Sequence, residues 1–319
     1  SNFLIPFPDY KIPVSIITES GIGNKDFDAA ALAWQSVRRD PQLPEDLGFS
    51  LELAWPIIFE NQLSIDLANS FLIVASQINQ DFQSCEALAY HYSTDRNSKF
   101  CKETVFKFNS KTQQIVVDYK FIDKLGRYRN DEENPESVSI INFVCPETNI
   151  YRQGRPLAYE FVRLVTKDGW SIENVKDFLE KYLEILSRVA SQQGFLIDLK
   201  SPYSLLPGNL IDATANNLIL CQDDGSVSLI DREWELVSSI ELGHLVFRML
   251  LQLVGSVSYF GKTSVKEITR GEFVNLALKS VQLSLLPADF DRYLNIEEQI
   301  TEQVTGRPAK EAVRWWPDY

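Results

Sequence analysis

Three strand-like runs between residues 87 and 122 place the strongest constraint on what this chain can fold into. The runs are ALAYHYST (87–94), KETVFKFN (102–109) and QQIVVDYKFI (113–122), and the polar turns DRNSKF and SKT join them. Strands joined by turns this short pair antiparallel with their neighbours, because a parallel connection needs a dozen or more residues. The sequence therefore predicts an antiparallel β-meander.

The pattern becomes helical after residue 154. Apolar residues recur at helical spacing in the segment 171–194, and Gly194 is a natural place for a helix to end. The helical positions are Val175, Phe178, Leu179, Tyr182, Leu186 and Val189. A loop, a second pair of short apolar runs and a mostly helical end follow, so the chain is predicted to be of the α+β class.

Composition excludes several classes of protein. A net charge of −13 argues against a general nucleic-acid binder, because neutralising phosphates requires clustered Lys and Arg. The four Cys are far apart and form no CxxC pair, which favours a reducing cytoplasm over a disulfide-rich fold. No run approaches the 18 apolar residues of a transmembrane segment. The first residues do not resemble a signal peptide, and we expect the chain to be a fragment of a longer polypeptide.

The segment 212–235, DATANNLILCQDDGSVSLIDREWE, carries the clearest chemical pattern. Asn217 lies five positions after Asp212, and Asp231 follows two apolar runs that a QDDG turn should fold into a β-hairpin. Phosphoryl transfer from ATP needs a carboxylate near the attacking hydroxyl and oxygen ligands for Mg²⁺, and this pattern supplies both. Asp, Asn and Gly are also the commonest turn residues, so the same letters are compatible with ordinary surface turns.

The longer segment NLIDATANNLILCQDDGSVSLIDREWE resembles the catalytic segment of the kinase-like fold, particularly its aminoglycoside phosphotransferase and choline kinase branch. With PFPDYKIP, NSFLIVAS, YSTDR and YRQGRPL, the chain is also similar to C-terminal modules of bacterial methyltransferase polypeptides that act on surface polysaccharides. In those polypeptides a kinase-like domain follows a SAM-dependent methyltransferase. The resemblance implies a two-lobed α+β fold, with a small antiparallel-sheet lobe and a larger helical lobe after an N-terminal α/β extension. The implied divisions are 1–83 for the extension or methyltransferase tail, 84–154 for the small lobe and 155–319 for the large lobe.

Residue roles follow from the resemblance position by position. Asp212 becomes the residue that orients the acceptor hydroxyl, and Asn217 and Asp231 become the magnesium ligands. Lys120 on the third strand and Arg96 in the turn STDRNSKF become contacts of the ATP phosphates. An acidic partner for the lysine comes from NDEENPE, where Glu132, Glu133 and Glu136 are equivalent candidates, with Glu136 taken as the representative.

Two functions are compatible with these features. The first is an ATP- and Mg²⁺-dependent phosphotransferase that acts on a sugar or glycan hydroxyl. The second is a catalytically inactive kinase-like accessory domain that positions a glycan or a partner, such as a methyltransferase or glycosyltransferase domain of the same polypeptide. The absence of glycines from the turn STDRNSKF, and Leu210 where the family usually has His, favour the second. The chain has no glycine-rich SAM-binding segment, so it is not expected to methylate by itself.

Overall fold

The computed structural model describes residues 2–75, 87–122, 139–146, 148–221, 225–264 and 268–309. Its strands are β1 (Asn2–Phe7), β2 (Ser15–Thr18), β3 (Leu72–Val74), β4 (Ala87–Ser93), β5 (Lys102–Asn109), β6 (Gln114–Phe121), β7 (Ile141–Phe143), β8 (Thr148–Ile150), β9 (Gly154–Pro156), β10 (Leu205–Leu206), β11 (Leu218–Cys221), β12 (Val227–Leu229), β13 (Trp234–Leu236) and β14 (Ile240–Glu241). Its α-helices are α1 (Glu19–Gly23), α2 (Ala29–Trp34), α3 (Leu51–Glu60), α4 (Ala158–Val165), α5 (Ile172–Gln192), α6 (Leu242–Ser256), α7 (Arg270–Ser280) and α8 (Pro287–Thr305).

The chain forms two compact units. The first contains residues 1–123, 146–155 and 257–259, and the second contains residues 124–145, 156–256 and 260–319. The class is α+β: the first unit has a seven-stranded sheet, and the second is mainly helical with small sheets. Among the described residues, no helix combines the length and apolar character needed to cross a bilayer.

The sheet of the first unit has the strand order β3-β1-β2-β4-β5-β6-β8. Strands β4, β5 and β6 are antiparallel neighbours, as the register of Tyr90 with Val105 and of Val105 with Asp118 shows. The predicted meander is therefore confirmed. Short turns place each strand antiparallel beside the previous one, and they are sufficient to determine the order of these three strands.

One face of this sheet forms the core of the first unit. Ile17 lies opposite Ala89, Ala89 opposite Phe106, and Phe106 opposite Val117, so these side chains share a face. The ring of Phe27, just before α2, lies 5.2 Å from the Phe106 ring. Because a shift of one residue would turn this apolar set toward solvent, burial of the face fixes the register.

The sheet continues across the division expected at residue 83. Strand β2 from the extension pairs with β4, with Ser15 opposite His91, and β1 and β3 extend the same sheet. The described strands on both sides of that point thus share one hydrogen-bonded layer, which sequence periodicity does not reveal. The division expected at 154/155 lies next to 155/156, one of the several points where the chain passes between units.

Helix α5 is the longest helix of the second unit and confirms the helix predicted in 171–194. Its first turn has a capping box, in which Ser171 accepts a hydrogen bond from the Asn174 backbone and the Asn174 side chain accepts one in return. Its apolar stripe, which includes Val175, Leu179 and Leu186, is buried. Gly194, with φ of +84°, follows the end of the helix in the left-handed conformation that glycine tolerates best.

Candidate active site

A β-hairpin brings Asn217 next to Asp231 in the second unit. Strands β11 and β12 pair with Leu218 opposite Leu229. Beyond this pair, the backbone N–H of Ile230 donates to the carbonyl oxygen of Asn217 at 2.9 Å. Asn217 therefore lies across from the residue before Asp231, at the open end of the hairpin. The predicted pairing of the two strands is confirmed, and residues 222–224 of the QDDG turn lie outside the described residues.

The six-residue segment from Asp212 to Asn217 is closed by hydrogen bonds. The side-chain Nδ2 of Asn217 donates to the backbone carbonyl of Asp212 at 3.0 Å, and its backbone N–H donates to the carbonyl of Thr214 at 3.0 Å. With Nδ2 engaged in this way, the acceptor atom Oδ1 is the part of the Asn217 amide that suits a cation. The spacing between Asp212 and Asn217 thus has a direct structural basis.

The Asp212 carboxylate is buried and held by backbone donors. Only 6% of the residue is exposed, and Oδ2 accepts hydrogen bonds from the N–H groups of Glu233 at 3.1 Å and Trp234 at 2.8 Å. Burial raises the pKa of Asp212 to about 7. The positive charge of Arg248 and the hydrogen bond from Trp234 lower this pKa, but their effect is smaller than that of burial. A carboxyl group with this pKa exchanges a proton near neutral pH.

Asp231 has an unusual backbone conformation. Its φ of +51° lies in the left-handed region, where residues other than glycine are uncommon. The N–H of Glu233 donates to the carbonyl oxygen of Asp231 at 3.0 Å, which tightens the turn after β12. Because this turn also directs the N–H groups of Glu233 and Trp234 to Asp212, the conformation of Asp231 is tied to the position of Asp212. Non-glycine residues in such conformations are concentrated at functional sites.

Two further contacts fix the loop that carries Asp212. The hydroxyl of Tyr182, a fully buried residue of α5, donates to the carbonyl oxygen of Ala213 at 2.9 Å. On the other side, Gly208 lies against β13: an added Cβ atom would be only 2.1 Å from the carbonyl oxygen of Leu236. The loop is therefore held between α5 and β13, and Gly208 permits the close approach to β13.

A buried ion-pair network lies in the helices of the same unit. His244 and Arg248 are one turn apart on α6, and both contact the carboxylate of Glu297 on α8. His244 also stacks on the ring of Tyr293, with ring centroids 4.8 Å apart. With an exposure of 2% and a hydrogen bond to Glu297, His244 is a core residue whose polar ring has a partner. The roles of Arg248 and Glu297 were not predicted.

The residues predicted to contact ATP phosphates lie in the first unit. Lys120 is on β6, exposed, and its register partner on β5 is Glu103. Arg96 is half-buried in the turn between β4 and β5. Both assignments stay predictions, and Glu132, Glu133 and Glu136 lie outside the described residues.

A second lysine of this sheet was missed by the sequence analysis. Lys102 at the start of β5 is only 2% exposed, and its ammonium group lies 4.7 Å from the centroid of the Tyr119 ring. Lys102 and Lys120 differ in burial because successive residues of a strand point to opposite faces. Lys102 lies opposite Phe121 and therefore shares the face of Tyr119, whereas Lys120 points to the other face. Lys102 directly follows a polar turn, and this position does not indicate in the sequence that the residue is buried.

The donor set of the hairpin suits magnesium better than a metal that prefers nitrogen or sulfur. Asn217 and Asp231 offer one amide oxygen and one carboxylate, and Mg²⁺ prefers oxygen ligands while keeping several of its waters. In the described part of the chain, no group of three or more His, Cys, Asp or Glu side chains could hold a metal ion. Comparison of the chain with protein-family models, with curated proteins and with solved structures gave no significant match.

Proposed function

We propose that this protein is an ATP- and Mg²⁺-dependent phosphotransferase with a kinase-like fold, acting on a hydroxyl group of a sugar or glycan. The observation that carries the proposal is the closed segment from Asp212 to Asn217, joined by a hairpin to Asp231. This arrangement holds one buried carboxylate of near-neutral pKa next to an amide and a second carboxylate. Phosphoryl transfer requires a proton acceptor and oxygen ligands of these types.

Asp212 is the proton acceptor of the proposed reaction. Its Oδ2 is held by two backbone N–H groups, which leaves Oδ1 for the acceptor hydroxyl. The hydroxyl oxygen forms a bond to the γ-phosphorus of ATP, the bond from that phosphorus to the bridging oxygen breaks, and ADP leaves. The hydroxyl proton passes to Asp212. A pKa of about 7 suits this role, because a general base works best when its pKa is near the working pH.

Asn217 and Asp231 are the proposed magnesium ligands. When bound, Mg²⁺ would neutralise charge on the ATP phosphates. Asn217 would contribute Oδ1, because its Nδ2 already donates to the Asp212 carbonyl. Asp231 would contribute a carboxylate whose direction is set by the left-handed turn. The hydrogen bond between Ile230 and Asn217 keeps the two ligands at the open end of the hairpin.

Lys120 and Arg96 are proposed as cationic contacts of the ATP phosphates, by resemblance to the kinase-like family. By the same resemblance, Glu132, Glu133 or Glu136 is proposed as the acidic partner of the lysine, and a methyltransferase or glycosyltransferase domain of the same polypeptide is proposed as a partner. Lys102 is a further candidate for the lysine, because it is buried on a sheet face beside Tyr119. Comparing Lys102→Met with Lys120→Met in an ATP-binding assay distinguishes the two lysines.

A second function is favoured by the burial of the site. Asp212 is nearly inaccessible, and Leu210, where the family usually has His, is completely buried. A protein with this site could retain the fold and position a glycan or partner without transferring phosphate. The second candidate is therefore a catalytically inactive kinase-like accessory domain.

A thermal-shift screen with ATP, GTP and SAM, each with and without Mg²⁺, tests the proposal. The phosphotransferase predicts a rise in melting temperature with ATP that requires Mg²⁺, since a ligand that binds only the folded state stabilises it. Release of labelled phosphate from γ-labelled ATP to glycan acceptors then separates the two candidates. No shift with any nucleotide would contradict nucleotide binding, and a shift without transfer would favour the inactive domain.

A further inference from the structure

One peptide group connects the Asp212 carboxylate to the segment that carries β7. The peptide between Glu233 and Trp234 has its N–H group on Trp234, and this N–H donates to Asp212 Oδ2 at 2.8 Å. The carbonyl oxygen of the same peptide belongs to Glu233, and it accepts a hydrogen bond from the backbone N–H of Val144 at 2.7 Å. Val144, this peptide and Asp212 therefore form a continuous chain of two hydrogen bonds.

The pairing of β7 with β13 places Val144 beside this peptide. Trp234 lies opposite Phe143 in the register, and their rings are 4.7 Å apart. At the other end of the pair, the N–H of Val237 donates to the carbonyl oxygen of Ile140 at 3.0 Å. Val144 directly follows β7, so its N–H continues the ladder by one hydrogen bond beyond Phe143.

Helix α8 holds the start of the same segment. The backbone N–H of Ile140, just before β7, donates to Oε1 of Gln303 on α8 at 3.1 Å. The segment is thus fixed by α8 at its start and by β13 along its length. Val144 lies at its end, where the N–H of this residue reaches the peptide that binds Asp212.

The two ends of this hydrogen-bond chain differ in burial. Val144 is 52% exposed, whereas Trp234 and Asp212 are 7% and 6% exposed. A side chain as exposed as that of Val144 contributes little to packing, so the contribution of this residue lies in its backbone N–H. A hydrogen bond to the carbonyl of a peptide polarises its N–H and strengthens the bond that this N–H donates, most of all where water is excluded. The N–H of Val144 therefore makes Trp234 a better donor to the Asp212 carboxylate.

We propose that Val144 is a positioning residue for Asp212, because its N–H holds and polarises the peptide that binds Oδ2 of this carboxylate. With Oδ2 fixed in this way, Oδ1 keeps the orientation in which it would receive the proton of the acceptor hydroxyl. The importance of Val144 for the reaction rests on the proposed function. The link between Val144 and Asp212 does not, and it can be measured in a protein that transfers no phosphate.

Amide NMR spectra of the wild type and Asp212→Asn at pH 8 test the link without a change in β7. Removing the charge weakens the hydrogen bond from Trp234, so the carbonyl oxygen of Glu233 becomes a weaker acceptor for Val144. The proposal predicts upfield shifts of the amide protons of both Trp234 and Val144. The amide proton of Val237 belongs to the same ladder but not to this chain of bonds, and it should not move. No shift at Val144, or equal shifts at Val144 and Val237, would overturn the proposal.

A double-mutant cycle in urea unfolding tests the same link energetically. Val144→Pro removes the N–H donor. The proposal predicts that its effect on the unfolding equilibrium constant is about fivefold or more smaller in Asp212→Asn than in the wild type, within the range measured for interacting residues. The matched control is Val237→Pro, which removes the donor of another exposed valine at the far end of the ladder. Its effect should be the same in both backgrounds to within about twofold, and the same result for Val144→Pro would overturn the proposal.

A second way of removing the donor keeps the test decisive if Val144→Pro does not fold. The α-hydroxy acid analogue of valine replaces the N–H at position 144 with an ester oxygen and keeps the side chain, without the restraint that a proline ring places on the backbone. The same analogue at position 237 is the control. Coupling to Asp212→Asn of about fivefold or more at position 144 supports the proposal, and effects that multiply to within about twofold overturn it.

Kinetics separate positioning from simple structural support. For an active wild type, Val144→Pro should lower kcat about tenfold or more while the KM for ATP changes less than about threefold, because the effect reaches the reaction through Asp212. Val237→Pro is the control and should change kcat less than about threefold. Equal changes in KM and kcat for Val144→Pro, or an unchanged kcat, would contradict positioning. An inactive wild type refutes the proposed function, and the NMR and unfolding measurements still decide whether Val144 and Asp212 are linked.

Discussion

The substitution Asp212→Asn should change how the stability of this protein depends on pH. The folded structure raises the pKa of Asp212 from an ordinary value of 3.8 to about 7, mainly because the carboxyl group is buried. The proton is therefore held more tightly in the folded than in the unfolded state. Its contribution to stability is complete below about pH 4 and is lost as the pH rises through about 7. Asn cannot titrate, so the variant lacks this contribution at every pH.

The size of the change in stability follows from the difference between the pKa of Asp212 in the folded and unfolded states. Each unit of pKa difference corresponds to about 1.4 kcal/mol, so a difference of about three units corresponds to about 4 kcal/mol as an upper value. Between pH 5 and pH 8 we expect about 2–3 kcal/mol of this change. The wild type loses this stability as the pH rises, and the variant does not. The free energy of unfolding of Asp212→Asn minus that of wild type should therefore increase by this amount between pH 5 and pH 8.

Urea unfolding followed by tryptophan fluorescence at pH 5, 6, 7 and 8 measures the difference. Subtracting the wild-type curve from the variant curve removes the titration of the groups that both proteins share. Asp291→Asn, an exposed aspartate of α8, is the matched control for the chemical change from Asp to Asn. A pH-independent difference for Asp212→Asn would refute the conclusion that burial raises the pKa of this carboxyl group.

Three further substitutions test how the loop and its supporting helix are held. Tyr182→Phe removes the hydrogen bond to the buried carbonyl of Ala213 and should lower the free energy of unfolding by about 1–3 kcal/mol in urea titration; no loss would contradict this anchor. Gly208→Ala places a Cβ atom against the Leu236 carbonyl, so thermal unfolding should show a lower melting temperature, whereas an unchanged one would mean that the loop moves away without cost. Ser171→Ala removes the N-cap of α5 and should cost about 1 kcal/mol in the same urea assay; a stability equal to that of wild type would show that the cap is dispensable.

The parts of the fold that depend on local sequence could be predicted. The meander β4–β6, the helix α5 and the hairpin β11–β12 are each specified by short-range periodicity and turn residues. The pairing of β2 with β4 could not be predicted, because it joins residues such as Ser15 and His91 that are far apart in the chain. Such pairings depend on burial of a shared face, which one strand alone does not reveal.

The candidate site shows the same distinction. The spacing of Asp212, Asn217 and Asp231 indicated a connected loop and hairpin, and these residues do lie on one. The burial of Asp212 and the anchoring of Arg248 by Glu297 depend on helix packing between distant segments. An arginine in an apolar helix gives no indication of its acidic partner until the helices are placed.

Calorimetric titration of the intact chain with ATP in the presence of Mg²⁺ tests the central claim most directly. The comparison uses wild type, Asp231→Asn and the control Asp291→Asn, with Asn chosen at 231 because it tolerates the left-handed conformation better than Ala. The proposed function predicts Mg²⁺-dependent binding to wild type and to the control, and at least a tenfold loss of affinity in Asp231→Asn. Equal affinity of Asp231→Asn and wild type for ATP with Mg²⁺, or no binding to wild type, would contradict the assignment of this hairpin as a magnesium–nucleotide site.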